Sequence, residues 1–199
     1  MEKKYRKRKK IALFSVILLL VLFAAAIFLS PYSSQEGFSY KLVKHTVEID
    51  APIENVFQFL GNSRNASRWS VFVNHITTLN PDSFPDGAVG CRRRCFCMAN
   101  ESGTQWDELV TENTANTKRQ LICYNLQDFR MSAEHLATEQ LYETLGTHKC
   151  KLTFTLFFKD VRPTLWESMK MYIAAYQVKD VYERNMSNIK RIVEEERHE

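Results

Sequence analysis

The sequence predicts an α+β protein: one transmembrane helix, then an antiparallel sheet of seven strands accompanied by a single long C-terminal helix. Three observations carry that prediction. Residues 11–30 contain no charged side chain, and about 20 helical residues suffice to cross a hydrocarbon core of roughly 30 Å. Between residues 40 and 158, short β-prone runs are separated by clusters of turn formers. After Arg162-Pro163 the apolar spacing changes to three- and four-residue steps, the period of an amphipathic helix.

The first element is the apolar run. Its only polar members are Ser15 and Ser30, and Lys3, Lys4, Arg6, Lys7, Arg8, Lys9 and Lys10 precede it. No Lys or Arg lies in residues 31–40, so the positive-inside rule keeps the N-terminus cytoplasmic and sends the rest across the membrane. A cleaved signal peptide is the competing reading, with Ala24, Ala25 and Ala26 as its small-residue cleavage site. The continuation through Ile27, Phe28 and Leu29 favours an uncleaved signal anchor, being longer than a usual signal core. A buried soluble helix is disfavoured, because no polar stripe interrupts the run. The expected organisation is a basic cytoplasmic tail (1–10), a transmembrane helix (11–30), a linker rich in Ser, Pro and Gly (31–39) and one folded domain (40–199). In a bacterium that domain is periplasmic.

Charge supports this division. The chain carries +4 in all, and residues 1–10 alone hold +6 (seven Lys or Arg against Glu2), which leaves about −2 on the remainder. A nucleic-acid partner is therefore not expected, since its footprint is a basic stripe on the folded domain. The basic tail suits anionic lipid headgroups instead. Five cysteines occur, at positions 91, 95, 97, 123 and 150. Cys91, Cys95 and Cys97 fall on one face of a strand by spacing. No histidine or second cysteine pair stands at zinc-ligand spacing, so these residues read as a buried strand face. An oxidising compartment would allow one disulfide among the five.

The domain is expected to begin with a strand over residues 40–49. Asp50-Ala51-Pro52 then starts a short helix, with Asp50 as N-cap and Pro52 in the first turn. Val56, Phe57, Phe59 and Leu60 give that helix an apolar side ending near Gly61, and a second short helix or turn covers 62–69. Strands follow over 72–79, 88–98, 104–111, 117–125, 135–144 and 147–158. Their connections include Asn80-Pro81-Asp82, Pro85-Asp86-Gly87 and Gly146; the stretch 126–134 has no clear assignment. Leu165, Met169, Tyr172, Tyr176, Met186, Ile189 and Val193 mark the apolar side of a closing helix of about thirty residues, near 45 Å long.

The run Val47-Glu48-Ile49-Asp50-Ala51-Pro52-Ile53-Glu54-Asn55-Val56-Phe57-Gln58-Phe59-Leu60 resembles the opening of the START-like (SRPBCC) superfamily, which includes the polyketide cyclase/dehydrase and lipid-transport families. Trp69 is placed like the tryptophan that often closes the second helix there. Gly87 and Gly90 resemble the glycines before the third strand, and Asn185 to Glu194 resembles the family's last helix. The likeness spans residues 40–197. It implies the helix-grip fold, a curved antiparallel seven-stranded sheet wrapped around the C-terminal helix. It also implies a cavity between sheet and helix for an apolar ligand such as a lipid, sterol or polyketide.

No catalytic signature is present: no Gly-x-Ser-x-Gly elbow, P-loop, His-Glu-x-x-His or dinucleotide glycine motif occurs. His45, His75, His135, His148 and His198 are scattered singly, and no motif implies a cofactor or metal. Asp107 and Glu108 follow Trp106 on one strand and must point to opposite faces, so one of them can face a cavity as an acid/base or ligand-orienting group. Aromatic and methionine side chains are the stronger signal. Trp69, Phe72, Trp106, Phe154, Trp166, Met169, Tyr172 and Tyr176 lie on the elements expected to enclose a cavity, although a filled core uses the same residue types. The expected function is a membrane-anchored domain that binds a hydrophobic small molecule or lipid. The alternatives are a cyclase- or hydratase-like enzyme using a cavity acid, and a membrane-tethered interaction module whose cavity is filled.

Overall fold

The computed structural model describes residues 2–129 and 133–196, so His198 and the middle of the 126–134 connection lie outside the described residues. Helix α1 covers Glu2–Phe28. Its Lys10–Phe28 portion, 19 residues with mean hydropathy 3.1, is long and apolar enough to cross a membrane, and none of its residues is buried. Strand β1 (Leu42–Ile49) follows, then α2 (Ile53–Gly61), a single 3-10 turn (Ser63–Asn65) and α3 (Ala66–Trp69). Six strands come next: β2 (His75–Thr78), β3 (Arg92–Phe96), β4 (Gln105–Thr114), β5 (Lys118–Gln127), β6 (Leu136–Gly146) and β7 (Lys149–Phe158). Helix α4 (Leu165–Glu195) closes the chain.

The sheet order is β1-β7-β6-β5-β4-β3-β2, with every neighbouring pair antiparallel. Strands β2 to β7 form a meander, and β1 returns to pair with the last of them. Register shifts in β4 between Gln105/Asp107 and Val110/Glu112 introduce bulges that bend and twist the strand. Helix α4 lies on one face of this sheet. Thr164 and Glu167 form a capping box at its start, which satisfies amide donors that the first turn leaves without partners.

Two clusters pack α4 onto the sheet. Toward its C-terminal half, Met186, Ile189 and Val193 meet Ile49, Leu152 and Phe154 of the sheet and Val56 and Leu60 of α2. Toward its N-terminal half, Met171 and Ala175 meet Val43, Leu136 and Phe158. Tyr32 joins this second cluster at 3% exposure and sets its ring edge-on to Tyr172. Ser33 bridges to Leu42. The Ser30 hydroxyl donates to the Tyr172 carbonyl at 2.6 Å, and the Tyr176 hydroxyl donates to the Ala26 carbonyl at 2.7 Å. The end of α1 and the segment after it are thus seated on α4.

Two local expectations are corrected. Asp50 is not the N-cap of α2: Pro52 takes that position in extended conformation with no side-chain cap, and the Asp50 amide donates to the Glu194 carboxylate instead. The connection between the strands expected over 104–111 and 117–125 starts later, because β4 continues to Thr114, with Glu112 opposite Gln120.

Candidate functional site

A cavity of about 150 Å³ lies between the sheet and the C-terminal half of α4. Arg93 and Cys95 of β3, Trp106 and Glu108 of β4, and Phe154 of β7 contribute its sheet wall. The opposite wall comes from Leu60 of α2, Trp69 of α3, Phe72 of the following loop, and Tyr182 and Asn185 of α4. Strand alternation fixes this assignment, since Trp106 and Glu108 point inward while Asp107 points out. Asp107 pairs with Arg94 at 2.6 Å and accepts from Asn125 on the opposite face.

The lining is aromatic with a charged floor. Phe72 stacks on Trp106 with centroids 5.7 Å apart, and Phe154 meets Trp69 and Tyr182 edge-on. Below them, Arg93 Nε donates to Glu108 Oε2 at 2.7 Å, and the Trp106 indole donates to Glu108 Oε1 at 3.0 Å. Arg93 and Glu108 are each 7% exposed. Burial opposes the Arg93 charge, but the Glu108 carboxylate outweighs it and holds this guanidinium above its ordinary value. A second guanidinium, Arg119, is 2% exposed. It donates to the neutral Gln140 and Tyr142 and lies over the Phe57 ring at 4.5 Å. Burial lowers its pKa, and its Nε has no partner among the described residues. On α4, the Asn185 side chain accepts from the Val71 amide at 2.7 Å and so fixes the loop that carries Phe72.

Cys91, just before β3, and Cys95 share the inward, buried face of that strand, as their spacing predicts. Cys91 packs with Val110 and Leu121, Cys95 lines the cavity, and Cys97 lies beyond the end of β3, half-buried. All five are free thiols. Burial raises the pKa of Cys95 and Cys123 well above the thiol range, so both stay protonated and poorly nucleophilic. Burial likewise pushes the Tyr182 hydroxyl up, with Cys123 and Glu108 adding to the effect.

Of the eight residues expected around a cavity, Trp69, Phe72, Trp106 and Phe154 come together in its wall. The other four sit along the first turns of α4, away from it. Trp166 is 71% exposed, Met169 is half-buried, Tyr172 packs against Tyr32, and Tyr176 bonds to Ala26. Arg93, Tyr182 and Asn185 were missed by the sequence reading. Signals for Arg93 and Asn185 stand in the sequence: an Arg run, Arg92-Arg93-Arg94, set on a strand, and an Asn within the buried stripe of a helix, beside Met186 and Ile189.

A curved sheet gripping one long helix over a lined cavity defines a helix-grip domain. The chain belongs to the family described as polyketide cyclase / dehydrase and lipid transport, which matches residues 41–194. No curated protein matches the chain. Among solved structures, a protein from Nitrosospira multiformis is similar at 12% identity and a TM-score of 0.59, over 79% of this chain and 99% of that one. Norcoclaurine synthase from Thalictrum flavum, in complex with dopamine and hydroxybenzaldehyde, aligns at 12% identity and a TM-score of 0.55, covering 78% of this chain and 87% of its own. The di-domain ARO/CYC BexL from the BE-7585A biosynthetic pathway aligns at 15% identity and a TM-score of 0.58, over 77% of this chain and 46% of that chain. At these identities the likeness is one of fold.

Proposed function

We propose that this protein is a membrane-anchored binding domain that takes a compact hydrophobic molecule into the cavity beneath α4. The observation that carries the reading is the cavity itself, about 150 Å³ and walled by Trp69, Phe72, Trp106 and Phe154. A space of this size accepts a benzene-sized guest and falls below the roughly 300–1,000 Å³ typical of drug-sized sites. Its occupant is therefore a one-ring or short-chain compound rather than a whole two-chain lipid. Open volume at this position also argues against an interaction module with a filled cavity.

Binding is favoured over catalysis by the state of the cavity acid. Both Glu108 oxygens accept hydrogen bonds, from Arg93 and from Trp106, which leaves this carboxylate poorly placed to exchange a proton with a ligand. Helix α1 is the anchor in this reading. Its basic start faces the cytoplasm, and the domain faces the other side. The apolar ligand then travels only a short path from bilayer to cavity.

The test uses the full chain, extracted from its host membrane in mild detergent and examined by native mass spectrometry. A stoichiometric compact ligand that dissociates on activation is the expected result. Protein that carries nothing, and that binds none of a panel of one-ring compounds, overturns the binding reading. Protein recovered in the soluble fraction with residues 1–26 removed overturns the anchor.

A further inference from the structure

We infer that the cavity's occupant is a compact organic anion, a small ring or short chain bearing a carboxylate or similar ionised oxygen, docked on the free amino groups of Arg93. This rests on the reading that the cavity binds a ligand, and it adds the ligand's charge.

Charge on the cavity side of the sheet is unbalanced. Two guanidiniums, Arg93 and Arg119, are 7% and 2% exposed, and Glu108 is the one carboxylate on that face buried to the same degree among the described residues. The neighbouring acids are committed elsewhere. Asp107 points to the opposite face, where it pairs with Arg94. Glu139 borders the cavity, but its carboxylate accepts from Gln120, its cross-strand neighbour, and makes no hydrogen bond to Arg93 or Arg119 among the described residues. Asp86 lies on an exposed loop and receives the Ser63 amide and hydroxyl; its charge favours both guanidiniums, but it makes no hydrogen bond to either. Arg119 meets only neutral acceptors, Gln140, Tyr142 and the Phe57 carbonyl. A buried cation with no carboxylate in hydrogen-bond contact is costly, and an anion brought beside it recovers part of that cost.

The donors are available as well. Arg93 lines the cavity and spends only Nε on Glu108, so its two Nη groups have no partner among the described residues. A guanidinium fixed at one nitrogen still presents a planar pair of N–H bonds, the geometry that a carboxylate accepts in parallel. The aromatic wall, with Phe72 on Trp106 and Phe154 against Tyr182, takes the apolar remainder. Glu108 holds the guanidinium in place from behind.

Calorimetric titration of the full chain in phosphatidylcholine nanodiscs, with empty nanodiscs as reference, tests this with benzoate and its neutral isostere benzamide. Benzoate is expected to bind tighter by about tenfold or more, as hydrogen bonds to charged groups are stronger than neutral ones. The Arg93→Gln/Glu108→Gln double variant removes both charges together and is expected to abolish that preference while still binding benzamide. Equal or tighter binding of benzamide by the unaltered protein overturns the anion assignment and leaves the binding reading standing. A benzoate preference that survives in the folded double variant also overturns it, because Arg93 would then not be its source. Failure of both probes to bind overturns the binding reading and this inference together.

Discussion

Replacing Glu108 by Gln removes a charge and keeps the shape, which makes it a sharp probe of the polar floor. Glu108 accepts from Arg93 at 2.7 Å and from the Trp106 indole at 3.0 Å. The side chains of Arg93 and Glu108 are only 8% and 10% exposed. The substituted amide would have one acceptor oxygen for two donors and would turn an N–H toward one of them. Breaking a buried ion pair by removing one partner costs about 3–5 kcal/mol, since the other charge stays buried without compensation. At about 2–4 °C per kcal/mol for a protein of this size, the melting temperature falls by roughly 6–20 °C. Replacing both partners, as Arg93→Met/Glu108→Leu, removes the uncompensated charge and recovers most of the loss. Urea unfolding of the full chain in micelles, followed by near-ultraviolet circular dichroism, measures all three proteins. A cost below about 1 kcal/mol for Glu108→Gln, the median worth of an exposed ion pair, would refute the reasoning. So would a double variant no more stable than the single one.

Three further outcomes follow from the structure. The Arg94 hydrogen bonds, joined by one from Asn125, hold the Asp107 carboxyl below its usual range. Its contribution is therefore complete above the ordinary carboxylate pKa of about 3.9 and fades as pH falls through the lower folded value; Asp107→Asn should flatten the acid limb of a stability–pH curve, and an unchanged limb would deny the pair that role. At Gly90 the backbone φ is +92° and a Cβ would stand 2.5 Å from the Phe84 ring. Gly90→Ala should cost about 1–3 kcal/mol in chemical unfolding, with partial relief in a Phe84→Ala background, and a neutral effect would remove the need for glycine there. Tyr32→Ala empties a position 3% exposed between Val43, Phe158 and Met171. A cost of about 3–5 kcal/mol is expected, whereas a mere tether would lose nothing measurable.

Much of the architecture was legible because it rests on period. The seven strands and the helix of 31 residues follow from alternation, turn clusters and the shift to helical spacing after Pro163. Strand ends were read less well: the strand expected over 72–79 is ordered as β only from His75 to Thr78, because Phe72 and Val73 leave the sheet to wall the cavity. At the candidate site, Trp69, Phe72, Trp106 and Phe154 come together because each sits on an element that borders the space under α4. Trp166, Met169, Tyr172 and Tyr176 share the helix but not the place. Amphipathic spacing fixes which side of a helix is apolar and says nothing about position along an axis of about 46 Å. The first turns of α4 instead receive Tyr32 and the end of α1. The burial of Arg93 and Arg119 is hidden in the sequence for a related reason. A charged residue on a strand reads as solvated until its cross-strand partner is known, and only the register that sets Arg93 against Glu108 reveals an internal pair.

The cavity reading is tested most directly by the three indole N–H resonances of the full chain, one for each tryptophan, as one-ring compounds are added in nanodiscs. Trp69 and Trp106 wall the cavity while Trp166 stands exposed outside it. Saturable shifts at Trp69 and Trp106, with Trp166 unmoved, are the predicted result. Shifts confined to Trp166, or equal at all three, would place binding on the surface and contradict a ligand site beneath α4.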